Sequence, residues 1–249
     1  DNCDRYAPSR HCADLRLYHN ITTDGVYKIY PSDKCNLYPP SNPGINVICD
    51  MTTDGGGWTL MGNSVGNHTA NRTFADYSNG WTVSTDKKDQ WLGLNTINCL
   101  TTETIFSMRV NLQRCPTHNK PAKSTYCTYD FFAVSDSKDG YRVNITKDCE
   151  GTEDEYYDGW ARWDLTKPGP TFAAFDMGDE TVCKCSWMFH NTGWWYDTTN
   201  DCCGSANLNG IRYECDNKPL DSGTYLFWNG NPLSQADMWL RPYGYPNYV

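Results

Sequence analysis

The chain has no apolar run approaching the roughly 18 residues that cross a bilayer as a helix, no internal repeat and no low-complexity tract. Its 249 residues include five histidines and none of the G-x-S-x-G, H-E-x-x-H or P-loop patterns that place a nucleophile, a metal-bound water or a phosphate cradle. No catalytic residue is therefore assigned. Positive charge is scarce: 21 Lys and Arg face 30 Asp and Glu, for a net charge of -9. A nucleic-acid reader needs a basic face to release counterions, so nucleic acid is not an expected partner, and neither is an inserted membrane segment. No two cysteines stand in C-x-x-C spacing, which argues against a structural zinc site. The polar start from Asp1 to Arg10 lacks the apolar core of a signal peptide, as expected of mature secreted material or an excised ectodomain.

What is abundant points outside the cell. Thirteen cysteines imply disulfides, which persist in oxidising compartments, and four N-x-[ST] acceptors stand at Asn20, Asn67, Asn71 and Asn144. The expected localisation is secreted or extracellular. Ten Trp, 17 Tyr and 8 Phe supply material for a real core and for surface recognition. One large domain with long loops fits this length.

Residues 1–11 show no period and read as a lead-in, with a domain over residues 12–249. After a weakly helical ADLRLY, Asp24-Gly25 turns the chain into VYKIY, and INVICDM alternates as a second strand that pairs with it. Three glycines then precede Trp58, where only a residue without Cβ lets the backbone turn beside a large indole. The polar stretch from Asn63 to Asp89 reads as exposed loop with a short helix. TIFSMRVNL, STYCTYDFFAV and GYRVNI form an antiparallel sheet, and Cys115 and Cys127 flank a turn they are expected to close. The acidic EGTEDEYYD at 150–158 reads as a solvated loop. The last hundred residues, rich in Gly, Asn, Asp, Trp and Cys, read as a loop-built region held by bridges.

The order of these landmarks resembles the fibrinogen-like domain family. The resemblance is carried by Cys12, Asp24-Gly25-Val26-Tyr27, Cys49-Asp50-Met51 and Asp54-Gly55-Gly56-Gly57-Trp58-Thr59 in the first part of the chain. Later come Trp91-Leu92-Gly93-Leu94, Gly193-Trp194-Trp195-Tyr196, Ala206-Asn207-Leu208-Asn209-Gly210 and Met238-Trp239-Leu240-Arg241-Pro242. It implies an α+β fold with a small N-terminal sheet, a central antiparallel sheet with short helices, and a loop-rich, disulfide-stapled C-terminal subregion. It also implies the bridges Cys12–Cys49 and Cys185–Cys203, the latter with Cys202 as an alternative partner. Cys183 with Cys202 is a further expected pair. Cys3 is the candidate unpaired cysteine, through which a disulfide-linked homo-oligomer would form; non-covalent association is the other route.

The resemblance, above all to lectins of the ficolin and tachylectin type, implies a Ca²⁺ loop before Cys185. Its ligands would be Asp176 and Asp179 with the carbonyls of Thr181 and Cys183, although the two aspartates stand three residues apart instead of two. Beside it would lie an acetyl-group pocket of Lys184, Cys185, Ser186, Ser205, Ala206 and Tyr213, with a cis bond at Lys184-Cys185. Ser186 and Ser205 replace aromatic walls found in some lectins. Trp187, Trp194, Trp195 and Tyr196 read as core or as walls of this pocket. The implied function is recognition of acetylated glycans. The alternatives are a receptor-binding ligand of angiopoietin type and an adhesive, polymerising module.

Overall fold

The computed structural model describes residues 8–31, 44–64, 68–83, 89–116, 121–146, 149–152, 159–160, 167–177, 184–197, 203–215 and 225–248. In chain order the elements are α1 (Cys12–Tyr18), β1 (Gly25–Ile29), β2 (Ile45–Asp50), β3 (Trp58–Asn63), α2 (Phe74–Asn79), β4 (Trp81–Val83), β5 (Asp89–Trp91), α3 (Leu94–Glu103), β6 (Phe106–Arg114), β7 (Lys123–Val134), β8 (Val143–Ile145), β9 (Glu150–Gly151), α4 (Cys185–Met188), β10 (Ala206–Asn207), β11 (Phe227–Trp228) and β12 (Asn231–Pro242). The α+β class stands. The N-terminal and central strands are joined into one sheet, in the order β1-β2-β3-β12-β6-β7-β8 with antiparallel neighbours. The link is β12, the C-terminal strand, which runs between β3 and β6.

Alternation fixes which face each strand buries. On β6, Met108, Val110 and Leu112 are buried while Arg109, Asn111 and Gln113 are not; on β12, Ala236, Met238 and Leu240 are buried while Gln235, Asp237 and Trp239 are not. The glycine triplet lets α1 and the sheet approach. Gly57 has φ 82°, and a Cβ there would lie 3.1 Å from the Ala13 Cα of α1. Trp58 is fully buried behind this turn, and Arg241 of β12 closes over it. The Arg241 guanidinium sits 4.0 Å from the Trp58 ring and 4.7 Å from the Tyr245 ring, and donates to Asp54 O at 2.7 Å, Gly56 O at 3.0 Å and Asp54 Oδ2 at 3.0 Å.

The implied bridges Cys12–Cys49 and Cys185–Cys203 are formed. The expected pair of Cys115 with Cys127 is corrected: Cys115 bonds Cys215 and Cys127 bonds Cys149. The ladder gives the reason, because Cys127 stands opposite Val110, five residues back from Cys115. At about 3.4 Å per residue that is ~17 Å, well beyond the ~7 Å limit between bridged Cα atoms. Cys99 is also disulfide-bonded. Cys3, and the expected pair of Cys183 with Cys202, lie outside the described residues. Asn20, Asn71 and Asn144 are exposed, as glycan acceptors must be, while Asn67 lies outside the described residues.

Helix α1 starts on a buried histidine. Neutral His11 Nδ1 accepts the Asp14 backbone N–H at 3.3 Å, and its Nε2 lies 3.7 Å from Asp14 Oδ1. Burial pushes its pKa down to about 4, with the nearby Arg10 charge adding to the shift and Asp14 opposing it. Protonation takes away the capping acceptor and charges a buried ring. A folded-state pKa below the unfolded ~6.5 means that stability is complete above pH ~6.5 and is lost as pH falls towards 4, by roughly 3 kcal/mol. The substitution His11→Asn keeps a capping side chain without a titrating ring. It should lower stability at pH 7 yet flatten the fall in melting temperature between pH 7 and 5; an unchanged slope would exclude His11 as the acid-sensitive group.

Candidate functional site

The C-terminal loops are built on a polar node with its groups turned inward. Thr192 is fully buried; its Oγ1 donates to Phe189 O at 2.7 Å and accepts Asn207 Nδ2 at 3.0 Å, and its carbonyl accepts Ser186 Oγ at 2.7 Å and the Tyr196 hydroxyl at 2.8 Å. Asn209 Nδ2 holds the Gly193 carbonyl at 2.9 Å, so the two asparagines of the Ala-Asn-Leu-Asn-Gly run pin the 192–193 turn. From the other side, the Tyr77 hydroxyl of α2 accepts Gly193 N–H at 2.9 Å and donates to Thr69 O at 2.9 Å. Burial raises both the Tyr77 and the Tyr196 phenols well above the ordinary tyrosine range, so they stay protonated as donors.

Aromatic packing sets this node against the sheet. Trp195 contacts Phe172 at 5.1 Å, Trp91 at 6.2 Å and Phe132 at 6.3 Å between ring centroids, and its Nε1 donates to Tyr141 O at 2.7 Å. Trp194 stacks on Trp160 at 5.5 Å. Trp194, Trp195 and Tyr196 are therefore core, each at most 3% exposed. Trp187 is different: it is 62% exposed.

The sequence-predicted pocket residues are only partly gathered. The Cys185–Cys203 bridge brings Lys184, Cys185 and Ser186 next to Ser205 and Ala206, while Tyr213 packs elsewhere, against Tyr225 at 5.2 Å and bonded through its N–H to Leu233 O. Ser186, Ala206 and Tyr213 are buried. Ser186 Oγ is used by Thr192 O, and Ser205 Oγ donates to Gly159 O at 2.9 Å. Ser205 and Ala206 line a recess with Trp160, Trp194 and Asp197 whose volume is ≈ 20 Å³, room for about one water molecule. The Lys184-Cys185 bond is trans, and Lys184 takes a left-handed conformation, φ 48° and ψ 38°, instead; the cis bond among the described residues is Tyr245–Pro246. Of the four expected calcium ligands, Asp179, Thr181 and Cys183 lie outside the described residues. Asp176 uses Oδ1 to accept the Phe74 N–H at 2.8 Å, at the start of α2. Among the described residues no group of three or more His, Cys, Asp or Glu side chains clusters as a metal site.

Three large apolar side chains are exposed on this face, beside the exposed Asp176 and Lys184. Trp187 and Met188 of α4 are 62% and 58% exposed, and Met177, in the adjoining turn, 56%. The Trp187 indole donates to Phe175 O at 3.1 Å, which lays the ring across that turn. Trp187, expected as core or as a pocket wall, is not core, and neither methionine was among the expected site residues. Asn71, of one N-x-[ST] pattern, borders the region, its Oδ1 accepting Asn191 Nδ2 at 2.7 Å.

The fold and this face define a disulfide-stapled α+β domain whose described C-terminal loops are bonded internally and expose Trp187, Met188 and Met177. The chain belongs to the family of fibrinogen beta and gamma chains, C-terminal globular domain, which it matches over residues 9–243. It is 31% identical over 240 residues to Angiopoietin-4 of Mus musculus, an alignment covering 94% of this chain and 42% of that protein. With Fibrinogen C domain-containing protein 1 of Xenopus tropicalis the identity is 32% over 248 residues, covering 96% of this chain and 49% of the relative. The chain thus spans less than half the length of these relatives. In fold it is similar to the fibrinogen-like globe domain of human ANGPTL6, at TM-score 0.73 and 22% identity, covering 95% of this chain and 96% of that one. A lamprey fibrin D-dimer complexed with the peptide ligand Gly-His-Arg-Pro-amide superposes at TM-score 0.74 and 20% identity, covering 97% of this chain and 76% of that one.

The node carries a stability prediction. Asn207 is fully buried, donates to Thr192 Oγ1 and the Tyr196 hydroxyl, and accepts Asn209 N–H at 3.1 Å. The substitution Asn207→Ala removes the acceptor of the buried Asn209 N–H and one donor from each of the two hydroxyls, and should cost about 3 kcal/mol in urea denaturation. A loss under about 1 kcal/mol would show that the node does not hold the loops.

Proposed function

We propose that this domain is an extracellular, non-catalytic recognition module that binds a cell-surface protein receptor through the face built by α4 and the turn ending at Met177. One observation carries the reading: Trp187, Met188 and Met177 are all more than half exposed on one small surface, while the polar side chains beneath them are bonded inward. Protein interfaces are enriched in Trp and Met, and a few such anchors supply most of the binding energy. A small polar ligand gains little from them. Similarity to angiopoietins, which the sequence resemblance associates with receptor binding, supports this reading over the acetylated-glycan one.

Labelled domain should bind a panel of cultured cells saturably. That binding should disappear after protease treatment of the cells and persist in EDTA and in excess N-acetylglucosamine. Trp187 is linked to the domain by one hydrogen bond and is largely solvent-exposed, so Trp187→Ala should leave the melting temperature nearly unchanged. It should weaken cell binding about 30-fold, the effect of losing an anchor worth about 2 kcal/mol. Displacement by N-acetylglucosamine or by EDTA would instead support the acetyl-lectin reading and overturn this one.

A further inference from the structure

A second groove shares no residue with the α4 face. It opens on the solvent face of β6, β7 and β12, has a volume of ≈ 320 Å³, and is lined by Arg109, Asn111, Gln113, Tyr126, Gln235 and Asp237 among others. Small-ligand sites occupy about 300–1,000 Å³. Register assembles it: Asp237, Asn111 and Tyr126 form one row across the three strands, and Gln235 and Gln113 stand in the next.

The first row is held rigid by a chain of contacts. Arg109 Nε donates to Asn111 Oδ1 at 3.0 Å, Asn111 Nδ2 donates to Asp237 Oδ1 at 2.6 Å, and Trp239 Nε1 donates to the same oxygen at 2.5 Å. The Arg109 guanidinium lies 3.9 Å from the Tyr126 ring, which fixes its plane. Arg109's terminal nitrogens, Asp237's second oxygen and both glutamine amides lie outside this chain of bonds. Each of these planar groups carries two polar atoms side by side: a donor with an acceptor in the amides, two donors in the guanidinium, two acceptors in the carboxylate.

We infer that this groove binds a neutral saccharide through its vicinal hydroxyl groups. Adjacent hydroxyls on a sugar ring present a donor and an acceptor at neighbouring positions, and planar two-atom groups in adjacent rows meet them in pairs. The charge balance selects neutral sugars: the Asp237 carboxylate offsets the Arg109 guanidinium, so neither an anion nor a cation gains from the groove as a whole. Protein partners are disfavoured because, among the described residues, hydrogen-bonding side chains dominate the lining and its one aliphatic member, Leu112, is buried. The site is separate from the expected acetyl pocket, shares no residue with it and requires no metal.

The test uses the whole chain on a glycan array carrying neutral, N-acetylated and acidic termini, followed by calorimetry with a neutral disaccharide from the retained class. Neutral termini should be retained, with and without EDTA. The double substitution Gln113→Ala with Gln235→Ala should weaken binding about tenfold or more at an unchanged melting temperature. Trp187→Ala should leave sugar binding unaltered, and the glutamine variant should leave cell binding unaltered, so each reading fails separately. No retained neutral glycan, or equal affinity in the glutamine variant, would overturn the inference.

Discussion

Insertion of β12 between β3 and β6 is the constraint on which the rest of the molecule depends. The strand pairs antiparallel on both edges, with Asp237 opposite Asn63 on one side and Asn111 on the other. After β9, which still pairs with β7, the chain leaves the sheet and must return to its middle at β12. The Arg241 guanidinium locks the return by bonding the glycine turn and covering Trp58. Because those contacts join residues about 185 apart, the sheet cannot be completed until the C-terminal loops exist. Such non-local closure slows folding, and bridges such as Cys115–Cys215 shorten the search by restricting the unfolded chain.

Strands that alternate cleanly were legible. VYKIY, INVICDM, TIFSMRVNL and STYCTYDFFAV match observed strands to within two residues at their ends, because one buried face imposes a period of two. The central strand was not, and its register shows why: it shifts between Leu233 and Gln235, so the buried pair at 232–233 falls out of step with the alternation at 236, 238, 240 and 242. Helix α3 was missed for a different reason. LNTINCLTTE is rich in Thr and Asn, poor helix formers, and it forms because Leu94, Ile97 and Leu100 are buried against the sheet. Cysteine pairing depended on register that composition does not contain.

The candidate site divides along the same line. The Ala-Asn-Leu-Asn-Gly run was recognisable as a signature, yet its asparagines pin a turn, as the bonds from Asn207 and Asn209 show. Buried polar groups must find partners, so a loop region without regular ladders uses side-chain amides and hydroxyls where a sheet would use backbone. That demand accounts for Thr192, Ser186 and Tyr196 at once. It also leaves the outer surface free to be apolar. Trp187 gave no periodic signal, being in a four-residue helix where any face can be exposed.

The polar row on the solvent face of the sheet is the harder feature to explain by stability. Burial raises the Asp237 pKa, against hydrogen bonds from Trp239 and Asn111 and the charge on Arg109 that favour the ionised form. A raised carboxyl opposes folding at neutral pH, since ionising it costs more in the native state than in the unfolded chain. Thr or Lys at that position would satisfy a solvated sheet face without this cost. Buried ionic networks are weak contributors to stability and better at fixing one arrangement of side chains. A face that holds Arg109, Asn111 and Asp237 in a single geometry is therefore organised for what it meets, not for the fold beneath it.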